Sequence, residues 1–368
     1  MSILVVNLSI ARHLDSFATN EILIYLSPRI KDDLSKLEFH CSLLPQIDME
    51  IERIEKLTKL QISVIVTYVD VFGFYEFVPR FEKCNIPVVA ILGDTHHGKG
   101  TILKVNSYLR KNRIRHICLK QTKGQEDLFT FLGYNTYCFP CYLVNPTIIS
   151  PSRDFEPVIV AYGSYSEYHY RRNILISMLK NIGLPVMTGR VPRSDMFEAF
   201  NRSSITLNIP LNSDVNYRFH EAVAVGGCLL TEQLGSVSSK NEVLERNIHY
   251  FDYSNFGSLV EQCKYLLADR KANYAAREVA HADIHKAVKE ASIAFVNMIK
   301  RIMVDPFHPE TVDTEKLNKV KDYEKNLEKA RCSLVSPNTS IDSGSIVPWR
   351  DSFNRYDYRD IASRANLP

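Results

Sequence analysis

The run from Ile205 to Thr231, ITLNIPLNSDVNYRFHEAVAVGGCLLT, constrains the fold more than any other stretch of this chain. Ile205 to Ile209 reads as a buried strand, a polar loop follows, and helical spacing begins near Asn216. Gly226-Gly227 then stops the helix ahead of a second apolar strand that ends at Thr231. Strand, helix and strand in that order form one βαβ unit, which presents several polar groups at one end of a sheet. Asn216, Arg218 and Glu221 fall on the first turns of the helix, where free backbone N–H groups and the helix dipole favour a phosphate. Arg218 adds a full charge with forked donors, and Glu221 offers two acceptors suited to the vicinal hydroxyls of a ribose. Any one of the three alone is most simply a cap, an ion pair or a surface residue. Together, after a strand and before a glycine pair, they predict nucleotide recognition.

The rest of the chain reads as two α/β halves. Apolar runs at Ile3 to Val6, Ile62 to Val66, Val88 to Leu92 and Ile117 to Leu119, separated by helical or polar segments such as Met49 to Leu60, imply a mostly parallel sheet. The segment VNPTIISPSRDFE at 144–156 breaks both periodicities and marks a linker. A second series follows: strand Val158 to Ala161, helix Tyr168 to Asn181, strand Pro185 to Thr188, helix Ser194 to Asn201, then the unit above. It closes with a short strand Ile248 to Phe251, helix Leu259 to Ala268 and a long amphipathic helix from Lys271 to Met303. The expected domains are residues 1–150, 151–305 and a 306–368 tail. In that tail a charged, helix-compatible stretch leads through SPNTSIDSGS to an arm in which Trp349, Phe353, Tyr356 and Tyr358 interleave with Arg350, Arg355 and Arg359. Docking of that arm back on its own domain is the commoner outcome for such a segment.

No apolar run reaches membrane-spanning length and the chain starts directly at Ile3-Leu4-Val5-Val6, so a cytoplasmic protein is expected. Eight cysteines spread over 368 residues do not form a disulfide framework. The single CxxC, Cys138 to Cys141, has no second CxxC and no histidine at zinc spacing, and reads as a strand-end turn.

The pattern L-N-I-x-x-N-x-D-x-N-x-R-x-x-E-A-x-A-x-G-G-x-L-L-T resembles the donor-site signature of GT-B glycosyltransferases, and within them the CgeB-like (spore-maturation) family. Two departures stand out. Phe219-His220 precedes Glu221, displacing an aromatic by one position, and Ser213 stands where distant relatives carry the first of two paired glutamates. The resemblance implies two Rossmann-like domains facing a central cleft, with a nucleotide sugar, expected to be UDP-linked, bound mainly by the second. It implies donor contacts at Asn208, Asp214, Asn216, Arg218 and Glu221. A companion loop, Ala161-Tyr162-Gly163-Ser164-Tyr165, follows a strand and precedes a helix carrying His169, Arg171 and Arg172. A glycine there admits a phosphate close to the backbone. In the family, a G-S loop followed by H-x-R lies at the donor pocket, which implicates Gly163, Ser164, His169 and Arg171. Either arginine could neutralise a diphosphate, so no metal or other cofactor is expected.

Gly93 to Thr101, GDTHHGKGT, occupies the carboxyl end of an apolar strand, where α/β proteins place their sites. As G-x-x-x-x-G-K it resembles a P-loop with Lys99 as the phosphate ligand, but Gly100 replaces the hydroxyl that should hold Mg²⁺. As D-T-H-H it is an acid/base cluster: Asp94 or His96, with His97 third, could deprotonate an acceptor hydroxyl. Proteins like those resembled above carry a similar stretch in their first domain. From Thr95 to Gln125 there is no acidic residue, while Lys99, Arg110, Arg113 and Arg115 are among eight basic ones; the net charge of the chain is only +3. Such a block is most often a solvated face, yet beside an acceptor site it favours an anionic acceptor: a glycan, a phosphorylated carrier or nucleic acid, including a modified base in DNA of the phage type. The expected activity is transfer of a hexosyl or pentosyl group from a nucleotide sugar. A P-loop kinase or NTPase using Lys99, and a non-catalytic glycan- or nucleic-acid-binding relative, are the alternatives.

Overall fold

The computed structural model describes residues 1–8, 14–15, 20–70, 77–93, 101–119, 126–138, 149–163, 170–210, 215–234, 243–304 and 314–335. The chain divides into two compact units, the first built from Met1–Asn145 with Glu290–Ser333 and the second from Pro146–Lys289.

The first unit holds strands β1 (Ser2–Val6), β2 (Ile22–Ser27), β3 (Glu38–His40), β4 (Val64–Asp70), β5 (Val88–Gly93), β6 (His116–Leu119) and β7 (Asn135–Cys138). Helices α1 (Ile47–Thr58), α2 (Thr101–Lys111) and α3 (Glu126–Phe131) lie between them. All seven strands run parallel in the order β3-β2-β1-β4-β5-β6-β7. The central strands are buried on both faces, which explains why they read as unbroken apolar runs. β2, β3 and β7 are additional to the four strands expected from such runs. β4 also starts later than expected, because the Ile62 backbone N–H donates to the Glu55 carboxylate at 2.7 Å, tying that residue to the turn after α1.

The second unit holds β8 (Glu156–Tyr162), α4 (Tyr170–Asn181), β9 (Val186–Gly189), α5 (Arg193–Arg202), β10 (Ser203–Asn208), α6 (Tyr217–Ala224), β11 (Leu229–Glu232), β12 (Phe251–Tyr253) and α7 (Phe256–Ala268). Its five strands are parallel in the order β12-β11-β10-β8-β9. β12 falls three residues beyond its expected start. Residues 245–249 form a turn instead, with the His249 Nδ1 accepting from the Glu245 N–H at 2.6 Å and its Nε2 2.9 Å from Asp283. Helix α8 (Arg270–Val304) begins in the second unit and ends in the first, where Met298 meets Cys118 of β6. Helix α9 (Thr314–Val335) packs Val320 and Tyr323 into the first unit.

A buried cation organises the amino-terminal edge of the second sheet. Arg277 of α8 is 1% exposed, and its guanidinium donates to the carbonyls of Asn201 at 2.8 Å, Gly226 at 3.5 Å and Ser203. Its Nε reaches Asn273 Oδ1 at 2.7 Å and its face covers Phe155, 4.0 Å from the ring centroid. Burial lowers its pKa to about 10, so it remains charged at neutral pH. Gly226 is required in the same corner: its φ is +71° and a Cβ would meet the Pro151 Cα at 2.6 Å. Truncation of Arg277 to Ala leaves these carbonyls inside the protein without their donor. The expected loss is about 3 kcal/mol or more of unfolding free energy, measured as a fall in the denaturant midpoint of the transition that unfolds the second unit.

Candidate functional site

The carboxyl ends of β8, β10, β11 and β12 gather the polar groups that sequence pointed to. Helix α6 is capped as expected: the Asn216 side chain accepts from the Phe219 N–H at 3.2 Å. Its amide nitrogen donates to Asn208 Oδ1 at 3.2 Å, and the Asn208 amide donates to Thr231 Oγ1 at 3.1 Å. Asn208 is 0% exposed. The two asparagines of the signature therefore form an internal strut that fixes the start of α6 over β10 and β11. Phe219, the displaced aromatic, is a core residue packed edge-on to Tyr250 at 5.0 Å.

Two guanidiniums converge on Gly163. A Cβ built there would lie 2.6 Å from Arg218 Nη1 and 3.2 Å from Arg172 Nη1. Arg172 is anchored by donation to the Ile209 carbonyl at 2.8 Å, and Arg218 stands over the Phe200 ring at 5.9 Å. Arg171 turns to the neighbouring carbonyl, Pro210 O at 3.0 Å, and forms an ion pair with Glu232. Glu232 is 0% exposed and ends β11, in register with Tyr253 of β12. Burial, and next the Glu232 charge, push the Tyr253 phenol well above its ordinary pKa. Arg171, Arg172 and Arg218 thus gather at this end of the sheet, with Glu232 paired to the first of them. Guanidiniums suit an anion, and a glycine beside two of them lets it approach the backbone.

Glu221 faces α5. Its Oε1 accepts from Arg193 Nη2 at 2.9 Å, with side-chain exposures of 14% and 47% respectively, so the carboxylate is held in one orientation by a partner at the rim. Sequence reasoning missed Arg193 and Glu232. Each left a signal: Arg193 opens a helix directly after Pro192, and Glu232 is a charge placed directly after the apolar end of a parallel strand. Of the other expected donor residues, Ser164, His169 and Asp214 lie outside the described residues.

In the first unit Asp94, His96, His97 and Lys99 are likewise outside the described residues. The helix that follows them is described. Its first amides, Ile102 N–H and Leu103 N–H, both donate to Glu324 Oε1 of α9, at 2.5 and 3.2 Å. A P-loop would need that helix start for phosphate; here the protein's own carboxylate occupies it. The basic block is not one solvated face. Arg110 donates to Asn106 Oδ1 at 3.2 Å and the Leu132 carbonyl at 2.7 Å and lies 5.6 Å from the Tyr134 centroid, whereas Arg113 is an exposed turn residue with φ +56° and Arg115 is half-buried. Among the described residues no group of three metal-ligating side chains comes together, and no helix is long and apolar enough to cross a membrane.

The sequence profile of a family described as glycosyl transferase-like matches residues 159–295, the span that contains Gly163, the α4 arginines, the α6 signature and Glu232. No curated protein sequence matches the chain. Among solved structures it is similar to a glycosyltransferase from Rickettsia africae ESF-5, with TM-score 0.55, 13% identity, and coverage of 82% of this chain and 98% of that one. It is similar to a sucrose-phosphate synthase from Thermosynechococcus elongatus, with TM-score 0.54, 10% identity, and coverage of 83% and 99%. It is also similar to HepE of Anabaena in complex with UDP and glucose, with TM-score 0.53, 11% identity, and coverage of 82% and 100%. These likenesses establish the fold: two parallel α/β sheets of the GT-B glycosyltransferase type.

The Gly163 contact is directly testable. In Gly163→Ala the new methyl displaces the Arg218 guanidinium, so pyrophosphate, used as a probe anion, should bind about tenfold or more weakly, roughly 1.5 kcal/mol. The thermal midpoint should fall modestly, because φ +156° at this position strains any side chain. Unchanged pyrophosphate affinity by calorimetry would remove Gly163 from the site.

Proposed function

We propose that this protein is a glycosyltransferase of the CgeB-like kind, moving a sugar from a nucleotide sugar to an acceptor hydroxyl, with the donor held by the second unit. The observation that carries this reading is the closure of Arg172 and Arg218 over Gly163 at the carboxyl end of a parallel sheet, next to the capped start of α6. Fixed cations at this position stabilise the diphosphate as it leaves, and they are worth more in a site shielded from water than in solvent. Arg171 is paired with Glu232, while a nitrogen of Arg172 and of Arg218 comes close to Gly163, where a diphosphate could approach the backbone. On this reading transfer needs no metal ion. Glu221, oriented by Arg193, takes the ribose hydroxyls. A UDP-linked donor fits the HepE complex with UDP and glucose, a protein of similar fold.

Asp94, His96 and His97 are the candidates for removing the acceptor proton, with Ser164, His169 and Asp214 as further donor contacts. An anionic acceptor, whether glycan, phosphorylated carrier or nucleic acid, suits Lys99, Arg113 and Arg115. Arg110 contributes less, since its guanidinium is already engaged within the first unit. Free cysteines at 41, 84, 118, 138, 228 and 263 suit a reducing, cytoplasmic setting.

Thermal shift against a panel of UDP-, GDP- and ADP-glucose beside ATP with Mg²⁺ tests the reading. Stabilisation by a nucleotide sugar is expected; stabilisation by Mg²⁺-ATP alone would replace this function with a nucleotide triphosphate activity. Glu221→Ala should weaken the best donor by about 1.5–3 kcal/mol while leaving its 2′,3′-dideoxyribose analogue nearly unaffected, because the lost bonds are those to the two ribose hydroxyls. Turnover should persist in EDTA. Complete loss in chelator, restored by Mn²⁺, would show that the guanidiniums do not carry the leaving group.

A further inference from the structure

Two histidines on α8 stand outside both the groups around Gly163 and the node built on Arg277. His281 and His285 are four residues apart, so their side chains lie one above the other on one face of the helix. Their ring centroids are 4.1 Å apart, with the planes tilted by 46°. The Nε2 of each is shut off from solvent and has no hydrogen-bond partner. Such an atom is costly, because it loses its hydration and gains no bond in return, and here two of them sit one turn apart. Burial lowers the pKa of both rings, and the neighbouring His285 lowers that of His281 further. The neutral form, which keeps a lone pair for a ligand, therefore prevails at neutral pH. The His281 ring has a backbone hydrogen bond to Ile149, the kind of contact that orients a ligating histidine. Asp283 lies between the two in sequence but turns to His249, its Oδ2 2.9 Å from the His249 Nε2.

We propose that His281 and His285 form a two-histidine site for a divalent ion of the zinc and copper type, with water completing its coordination. Imidazole nitrogen suits these late first-row metals, whereas Mg²⁺ and Ca²⁺ take oxygen ligands. One ion bonded to both Nε2 atoms satisfies the two orphaned nitrogens at once. It also bridges one turn of α8, so it binds the folded helix in preference to the unfolded chain and stabilises the folded state by that difference. Two protein ligands leave coordination positions open, and the ion exchanges with the medium more readily than in a closed four-ligand structural site. Neither histidine is fully buried, and rotation of the rings gives an ion access from solvent. The pair belongs to the helix that carries Arg277, not to the groups around Gly163. The inference therefore stands apart from the nucleotide-sugar reading, and a chelator would empty this site without disturbing the arginines assigned to the donor.

The test is a calorimetric titration of the full chain, stripped of metal and kept reduced, with zinc chloride at neutral pH. Cysteines and other histidines take up zinc as well, so the comparison between variants decides. His281→Gln and His285→Gln should each abolish one binding event or weaken it about tenfold or more, while His40→Gln, at an exposed histidine of the first unit, should not. Zinc should raise the denaturant midpoint of the wild type more than that of either α8 variant, and Mg²⁺ should not reproduce the effect. A structural defect alone would lower the midpoint with and without zinc by the same amount. Electron paramagnetic resonance with one equivalent of Cu²⁺ counts the ligands without relying on a variant: splitting from two imidazole nitrogens is expected in the wild type, and from one in each α8 variant. If one substitution does not fold, the other is compared alone; if neither folds, the wild-type spectrum decides. Zinc binding unchanged in the folded variants, a wild type that takes up no zinc, or a Cu²⁺ spectrum without two nitrogens overturns the inference.

Discussion

Everything that shapes the second unit converges on one buried guanidinium, that of Arg277. Its partners are carbonyls, not a carboxylate: Asn201 at the end of α5, Ser203 at the start of β10 and Gly226 in the turn after α6. The ends of α5 and α6 are the negative poles of their dipoles, so two helix termini act together as the counterion. Neighbouring amides extend the same node. Asn273 donates to the Ser204 and Leu266 carbonyls, and Asn201 to those of Ser150 and Val225. The amino-terminal edge of the sheet is thereby fixed to α8 and to the incoming chain. Side chains at the opposite edge are then free to be chosen for chemistry rather than for holding the fold.

The two edges handle positive charge in different ways. At the amino-terminal edge the buried Arg277 is engaged by the protein's own carbonyls. At the carboxyl edge Arg172 donates to the Ile209 carbonyl and Arg218 stands over the Phe200 ring, and a nitrogen of each comes close to Gly163. Guanidiniums held in place by the fold in this way have little freedom left to lose on meeting an anion.

Much of this architecture was legible because parallel strands buried on both faces announce themselves as apolar runs, as Val88 to Leu92 and Ile205 to Ile209 do. The edges were not. β3 and β7, sequences EFH and NTYC, are short and half-buried, and carry no run to read. At the site, residue type indicated the place but not the wiring. Asn208 and Asn216 look like ligand groups in the sequence, yet their amides bond each other, Thr231 and the α6 backbone. Arg171 and Arg172 are equivalent by sequence alone. Only tertiary packing, through a carboxylate some sixty positions away at Glu232, separates the neutralised arginine from the one over Gly163.

The start of α2 shows the same limit from the other direction. Sequence describes the segment from Thr314 onward as charged and helical, which is usually a solvated surface. In the structure one of those charges, Glu324, accepts from both Ile102 and Leu103, more than two hundred positions earlier. A carboxylate held by two amides at a helix start serves the dipole as a bound phosphate would. The glycine- and lysine-containing stretch ahead of α2 therefore does not need a nucleotide to explain why a helix begins there. The anion that completes this helix is supplied from within the first unit.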